Sequence, residues 1–333
     1  MARDNADSRS VQTTEYRHFT RASLAVCGAA AVLAFAMVRL AGLDFSPAGV
    51  VTIGPALLLL VGLGYVYGSL RPIPFVASTC RSIAVLLVSS ILAYTISAAS
   101  LARGTPLVDP HLAAIDASLG FSARAMTEAV ASIPLAPEVL GLIYVASSVL
   151  VVPLIVVFAW LGRHDRAAEL GFLFAGCVIL CCTIGIATPA IGSFETLGIS
   201  ADAVKRLPSN AGVYYIQDFR AWHDGVRHTI DWSDPMGLIT FPSFHTCMAL
   251  VPAWAARGIA RLFWPLVLFA VPTLVSIIPM GAHYATDIAG GTIVTIVVIA
   301  AACGISARAL SAACGTRWRA RRARPSPGGS PPA

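Results

Sequence analysis

Residues 262–307 read LFWPLVLFAVPTLVSIIPMGAHYATDIAGGTIVTIVVIAAACGISA. Two apolar runs, at about 262–281 and 284–307, flank a short turn that carries His283 and precedes Asp287. Each run matches the roughly 20 apolar residues needed to cross the hydrocarbon core of a bilayer. Runs of the same kind recur at about 22–42, 48–69, 82–100, 138–162, 168–190 and 241–257, the last being the least hydrophobic. Lipid offers no partners to an open backbone, whereas a helix satisfies its own hydrogen bonds. The pattern therefore predicts an all-α, polytopic helical membrane protein with about eight transmembrane helices.

Composition agrees. Of 333 residues, 57% are hydrophobic and only 12% charged, half the charged share usual in soluble domains. The net charge of +6 does not call for a nucleic-acid partner. Six cations fall between Arg308 and Arg324 and four between Arg3 and Arg21, as expected for cytoplasmic ends flanking apolar spans. The run from Ala22 to Val38 follows Arg17 and Arg21 but is long for a signal peptide and is followed by further spans, so it reads as an uncleaved first helix. With the N-terminus inside, sixteen Lys and Arg fall on the cytoplasmic side and seven opposite. The bias predicts both termini inside.

Of the eight cysteines, Cys177, Cys181, Cys182 and Cys303 lie in apolar runs and read as small packing residues. None has the paired spacing of a zinc site. Two outer segments are too polar to span. Residues 107–133 carry Asp109, Asp116, Arg124 and Glu128 and suit an interfacial or re-entrant helix pair. Residues 192–240 form a long connection of the kind that serves as a lid or binding wall.

Ionisable residues at membrane depth are costly and mark function. His245, His283 and Asp287 gather in the last three spans, at the outer face of the predicted topology. His283 and Asp287, four apart, share a helix face. Asp287 can fix the tautomer of His283 and leave the other ring nitrogen as a nucleophile. His245 follows Ser243 at a helix N-terminus, where free N–H groups attract anions. An activated imidazole, a second imidazole and an anion site suit phosphoryl transfer. In that scheme His283 attacks phosphorus, while His245 protonates the leaving alkoxide and then activates the acceptor.

Pro242-Ser243-Phe244-His245 and His283-Tyr284-Ala285-Thr286-Asp287 resemble the second and third motifs, Pro-Ser-x-His and His-x-x-x-Asp, of the type 2 phosphatidic acid phosphatase superfamily. The longer string Gly237–His245, and Asp109-Pro110, Asp116 and Leu119-Gly120-Phe121, resemble its inositolphosphotransferase branch, which includes inositol phosphorylceramide synthases (the aureobasidin targets). The resemblance covers about residues 105–305. It implies a six-helix phosphatase-type core, a phosphohistidine intermediate and no metal or other cofactor. The first motif, Lys-x6-Arg-Pro, is absent: Gly64 stands seven residues before Arg71-Pro72. Ile277 stands where the third motif usually has arginine, as in that branch. Arg220 and Arg227, in a block resembling the branch's Arg-Asp-Gly stretch, are then the candidate phosphate-binding cations beside Ser243.

The expected organisation is a cytoplasmic tail at 1–21, a membrane domain at 22–308 and a basic, disordered cytoplasmic tail at 309–333. The expected function is a lipid-phosphate phosphatase or phosphotransferase of the bacterial inner membrane. Its active site faces outward, and its partners are a lipid-phosphate substrate and membrane lipids. The competing expectation is a transporter or lipid-binding protein whose histidines form a proton relay. That reading predicts polar residues through the midplane and paired broken helices, whereas the ionisable groups here gather at one face.

Overall fold

The computed structural model describes residues 2–199, 201–208 and 211–322. The chain runs α1 (Ala2–Ala41), α2 (Pro47–Tyr65) with a π-helical turn (Val66–Leu70), α3 (Pro74–Leu101), α4 (Asp109–Ser118), α5 (Ala123–Ser132), α6 (Ala136–Val149) and α7 (Val151–Trp160). It continues through α8 (His164–Gly185), the short α9 (Ser193–Leu197), α10 (Ala201–Arg206) and α11 (Ile216–His223), then α12 (Phe244–Ala255), α13 (Ala260–Gly281) and α14 (Ala285–Arg322). Two two-residue strands, β1 (Asp44–Phe45) and β2 (Thr229–Ile230), pair in parallel. The protein is an all-α integral membrane protein.

Among the described residues six helices are long and apolar enough to cross a bilayer, or seven if α5 and α6, bent by 116°, count as one span. Two expected spans come out differently. The stretch at 138–162 is divided at Leu150 into α6 and α7, because Pro153 has no N–H to offer the Val149 carbonyl. The stretch at 241–257 yields only the 12-residue α12, about 18 Å long. Ser243 caps its start, and Gly258 at φ 83° turns the chain just after its end. The polar 107–133 segment forms the helix pair α4 and α5. At the other end, α14 continues to Arg322 through alanine- and arginine-rich sequence with strong helix propensity. The tail expected to be disordered at 309–333 is thus helical as far as Arg322, and residues 323–333 lie outside the described residues.

Sorting by burial places α8 at the centre: 72% of its apolar window is buried, against 11% for α2, which lies outside on α3. The largest core cluster joins α1, α3, α7, α8, α12 and α14 around Ile96, Ile155, Phe158, Leu173 and Met248. Cys177, Cys181 and Cys182 are buried in it as free thiols, the packing role that their apolar setting suggests.

One end of the bundle carries an ionic network. Glu169 accepts from Arg166 and Arg257 at 2.7 Å each, and Arg163 pairs with Asp165 at 2.8 Å. The other end carries the strand pair, α4, α5 and α9–α11. Charge bias predicts that the first end is cytoplasmic. In a background lacking the native cysteines, an impermeant thiol reagent is expected to label Ser233→Cys from outside the cell and Leu161→Cys only after permeabilisation. The reverse pattern would overturn the sidedness.

Candidate active site

Helix α13 ends at Ala282 in the left-handed conformation, φ 54°. That costs a residue with a Cβ about 1–3 kcal/mol, and it aims the chain sharply into His283. The turn is held by the Ser193 N–H, which donates to the Ala282 carbonyl at 2.7 Å. Gly281 is needed beside it: a Cβ there would lie 2.6 Å from His283 Cδ2 and 2.8 Å from the Tyr144 hydroxyl.

His283 Nδ1 and Asp287 Oδ2 are 2.8 Å apart, and the same oxygen accepts the Tyr284 N–H at 3.0 Å. Both side chains are buried. Burial lowers the His283 pKa to about 4. The imidazole is therefore neutral at physiological pH. With Asp287 accepting from Nδ1, Nε2 is the nitrogen left with a lone pair.

Helix α4 braces this turn. Asp116 accepts from the N–H groups of Ala285 and Thr286 at 2.8 and 2.9 Å and from the Thr286 hydroxyl at 2.5 Å. It thus caps the N-terminus of α14 from a distant helix, satisfying donors the helix cannot. Asp109, two turns earlier on α4, accepts from the N–H groups of Gly192 and Ile191 at 2.7 and 2.9 Å and from the Tyr284 hydroxyl at 3.2 Å.

Ser243 caps α12 by accepting the Thr246 N–H at 3.4 Å, and its own N–H donates to the Asp287 carbonyl at 3.1 Å. That second bond ties the two motifs together. Gly290 and Gly291 allow the approach, since a Cβ on Gly291 would collide with the Ser243 carbonyl. The glycine pair serves close packing of α14 on the start of α12.

His245 stands in the first turn of α12, its ring centroid 6.2 Å from that of His283. It stacks on Tyr144 at 4.2 Å between centroids. Its Nδ1 lies 3.1 Å from the Tyr144 hydroxyl and its Nε2 3.3 Å from the Ser148 hydroxyl. Tyr144 and Ser148 are four apart on one face of α6, so a single helix holds both ring nitrogens. The Tyr214 hydroxyl lies 3.4 Å from that of Tyr144. Beside them is a mostly apolar cavity of about 570 Å³, lined by Gly141, Leu142, Val145, Pro208, Tyr214 and Met280 among others.

The structure thus brings His245, His283, Asp287 and Ser243 together. It holds Arg220 and Arg227 elsewhere, with no hydrogen bond or ion pair to any of the four. Arg220 pairs with Glu195 and Arg227 with Asp218, each at 2.7 Å. His223 lies 2.9 Å from the Thr105 carbonyl, joining α11 to the connection between α3 and α4. Tyr215 donates to the Ile191 carbonyl at 2.6 Å and is buried. Reasoning from sequence missed Tyr144 and Ser148. The available signal was a pair of polar side chains at helical spacing inside an apolar run, which in a membrane helix asks for an explanation.

No curated protein and no solved structure matches the chain significantly. A family model described as the PAP2 superfamily matches residues 110–301, which contain α4 after its first residue, with Asp116, and also Tyr144, the capped start of α12 and the His283 turn. The match covers more than half of the 333 residues, and the chain belongs to the PAP2 superfamily, that of the type 2 phosphatidic acid phosphatases.

Proposed function

We propose that the protein cleaves a lipid phosphoester or pyrophosphate through a phosphohistidine on His283, at the outer membrane face, passing the phosphoryl-bearing group to water or to an alcohol. The observation that carries this reading is the buried His283–Asp287 pair at 2.8 Å, facing His245 across 6.2 Å.

On this reading the transferring phosphoryl group lies between the two imidazoles. Nε2 of His283 forms the new P–N bond as the P–O bond to the leaving group breaks. His245 gives its proton to that oxygen, then takes one from the incoming water or alcohol, whose oxygen displaces His283. Asp287 stabilises the cationic imidazole as the P–N bond forms. The start of α12, with Ser243 at its cap, offers N–H groups to the phosphoryl oxygens. The cavity beside Tyr144 offers apolar surface to the acyl or prenyl part of the substrate. A donor labelled in both phosphate and headgroup separates the outcomes: released phosphate marks a phosphatase, and a new labelled lipid marks transfer of the inositolphosphotransferase type.

Arg220 and Arg227 supply the positive charge on this reading. Each reaches phosphate by leaving its carboxylate, and such partly exposed pairs are worth only about 0–1 kcal/mol. Arg220→Gln and Arg227→Gln are each expected to lower kcat/KM on the order of 100-fold, as for loss of a transition-state charge contact, with lysine restoring only part. Full activity in both glutamine variants would move the charge to other residues, Lys205 and Arg206 first.

Tyr144 acts through His245 as a positioning residue. Tyr144→Phe keeps the stacked ring and removes a hydrogen bond worth about 0.5–1.5 kcal/mol, so a several-fold fall in kcat is expected. The fall should be larger for lipid donors than for donors with acidic leaving groups. An equal fall for both would exclude a role through His245.

A further inference from the structure

A second cavity, of about 660 Å³, lies at the opposite end of the bundle from the histidines. It opens between α1, the π-helical turn, and the first turns of α3 and α8, and is lined in part by Tyr16, Ser78, Arg81, His164 and Asp165. Helix α8 starts here at His164 and finishes at Gly185, near the active site. Its 22 residues put the two cavities about 30 Å apart.

Three features give this cavity an anionic preference. Arg81 is the first. Its guanidinium lies against Gly68, where a Cβ would collide with it, and its stem against Gly64. Nη1 donates to the Tyr16 hydroxyl at 3.2 Å, and no carboxylate among the described residues pairs with Arg81. Two acids at this end are engaged elsewhere: Asp165, which also lines the cavity, pairs with Arg163 and lies 3.8 Å from Arg166, and Glu169 pairs with Arg166 and Arg257.

The second feature is a pair of helix starts. Neither α3 nor α8 has a side chain capping its N-terminus, so both direct free N–H groups and the positive ends of their dipoles toward this end. The third is a pair of polar side chains on the wall: the Ser78 hydroxyl and His164 Nδ1 are 2.9 Å apart. The rest of the lining is largely apolar, with Pro72, Pro74, Ala77 and Gly162. The glycines at 64 and 68 thus make room for a cation, which accounts for Gly64 in a sequence context that otherwise resembles a phosphatase motif lacking its lysine.

We propose that this cavity is a second, non-catalytic binding site for a phosphate group, with Arg81 as its charged contact and Tyr16 and Ser78 as neutral ones. The group comes either from an anionic phospholipid of the leaflet at this end or from a soluble phosphate.

The test is hydrogen–deuterium exchange on the full chain, read separately at residues 64–82 and 160–167 and at the histidine site. One arm adds inorganic phosphate to the detergent-solubilised protein. The other compares nanodiscs of phosphatidylcholine with nanodiscs containing phosphatidylglycerol. Protection of 64–82 and 160–167 is expected in at least one arm, and the arm that shows it identifies the source. Arg81→Gln is expected to weaken binding by about tenfold or more, as for loss of a charge-assisted contact. Tyr16→Phe, which keeps the fold's packing, should weaken it several-fold and stands in if the arginine variant does not fold. Protection confined to residues 240–246 and 283–287, protection that both variants retain in full, or no protection in either arm would overturn the proposal. Because the readout is local and needs no turnover, it stands apart from the catalytic reading.

Discussion

His283→Ala is expected to abolish turnover of every phosphate donor, with a loss on the order of 10⁵-fold or more, as for removal of a nucleophile that acts as part of a unit. The size follows from the proposed route. Without Nε2 there is no P–N bond to form, and an activated leaving group does not restore one. Asp287→Asn should cost less, about 10²–10⁴-fold, by analogy with an imidazole whose orienting carboxylate has become an amide. An asparagine oxygen can still accept the Tyr284 N–H that Asp287 accepts at 3.0 Å, so the turn should persist. Thermal melting of both variants separates lost chemistry from lost fold. If His283→Ala kept even a hundredth of wild-type turnover while folded, His283 would not be the nucleophile.

His245→Ala carries the second largest effect, and its size depends on the donor. A lipid alkoxide is a poor leaving group, and general acid catalysis is worth roughly 10²–10⁴-fold. With a p-nitrophenyl donor the leaving group is already a weak base, so its departure needs little help. The variant should therefore lose most lipid turnover yet still transfer phosphate from the activated donor to His283. The second half-reaction is expected to stay slow with either donor, because on the proposed route His245 also activates the acceptor. An equal loss of phosphoenzyme formation for both donors would take general acid catalysis away from His245.

The apolar runs made the helical membrane fold legible, because crossing a bilayer demands length and hydrophobicity that can be counted along the chain. The same count failed at 138–162 and 241–257. There Pro153, and the Ser243 and Gly258 boundaries, decide how far a helix runs, and average hydropathy does not register them. The histidines and Asp287 were legible because their spacing is set within one turn or one helix. Asp116 was visible as a residue but not as a cap, since its partners Ala285 and Thr286 lie some 170 residues away. Tyr144 and Ser148 escaped for the same reason: only folding of α6 against α12 shows that they hold His245. Arg220 and Arg227 were singled out by type and neighbourhood, and the carboxylates that hold them are also set by tertiary contacts.

Rapid-quench labelling of the His245→Ala protein with a phosphate-labelled p-nitrophenyl donor tests the central claim, the phosphohistidine on His283, most directly. A label that is acid-labile, base-stable and mapped by peptide sequencing to His283 is the predicted result, with no label in His283→Ala. Phosphate trapped in the His283→Ala protein and absent from His245→Ala would reverse the roles of the two histidines and contradict the account.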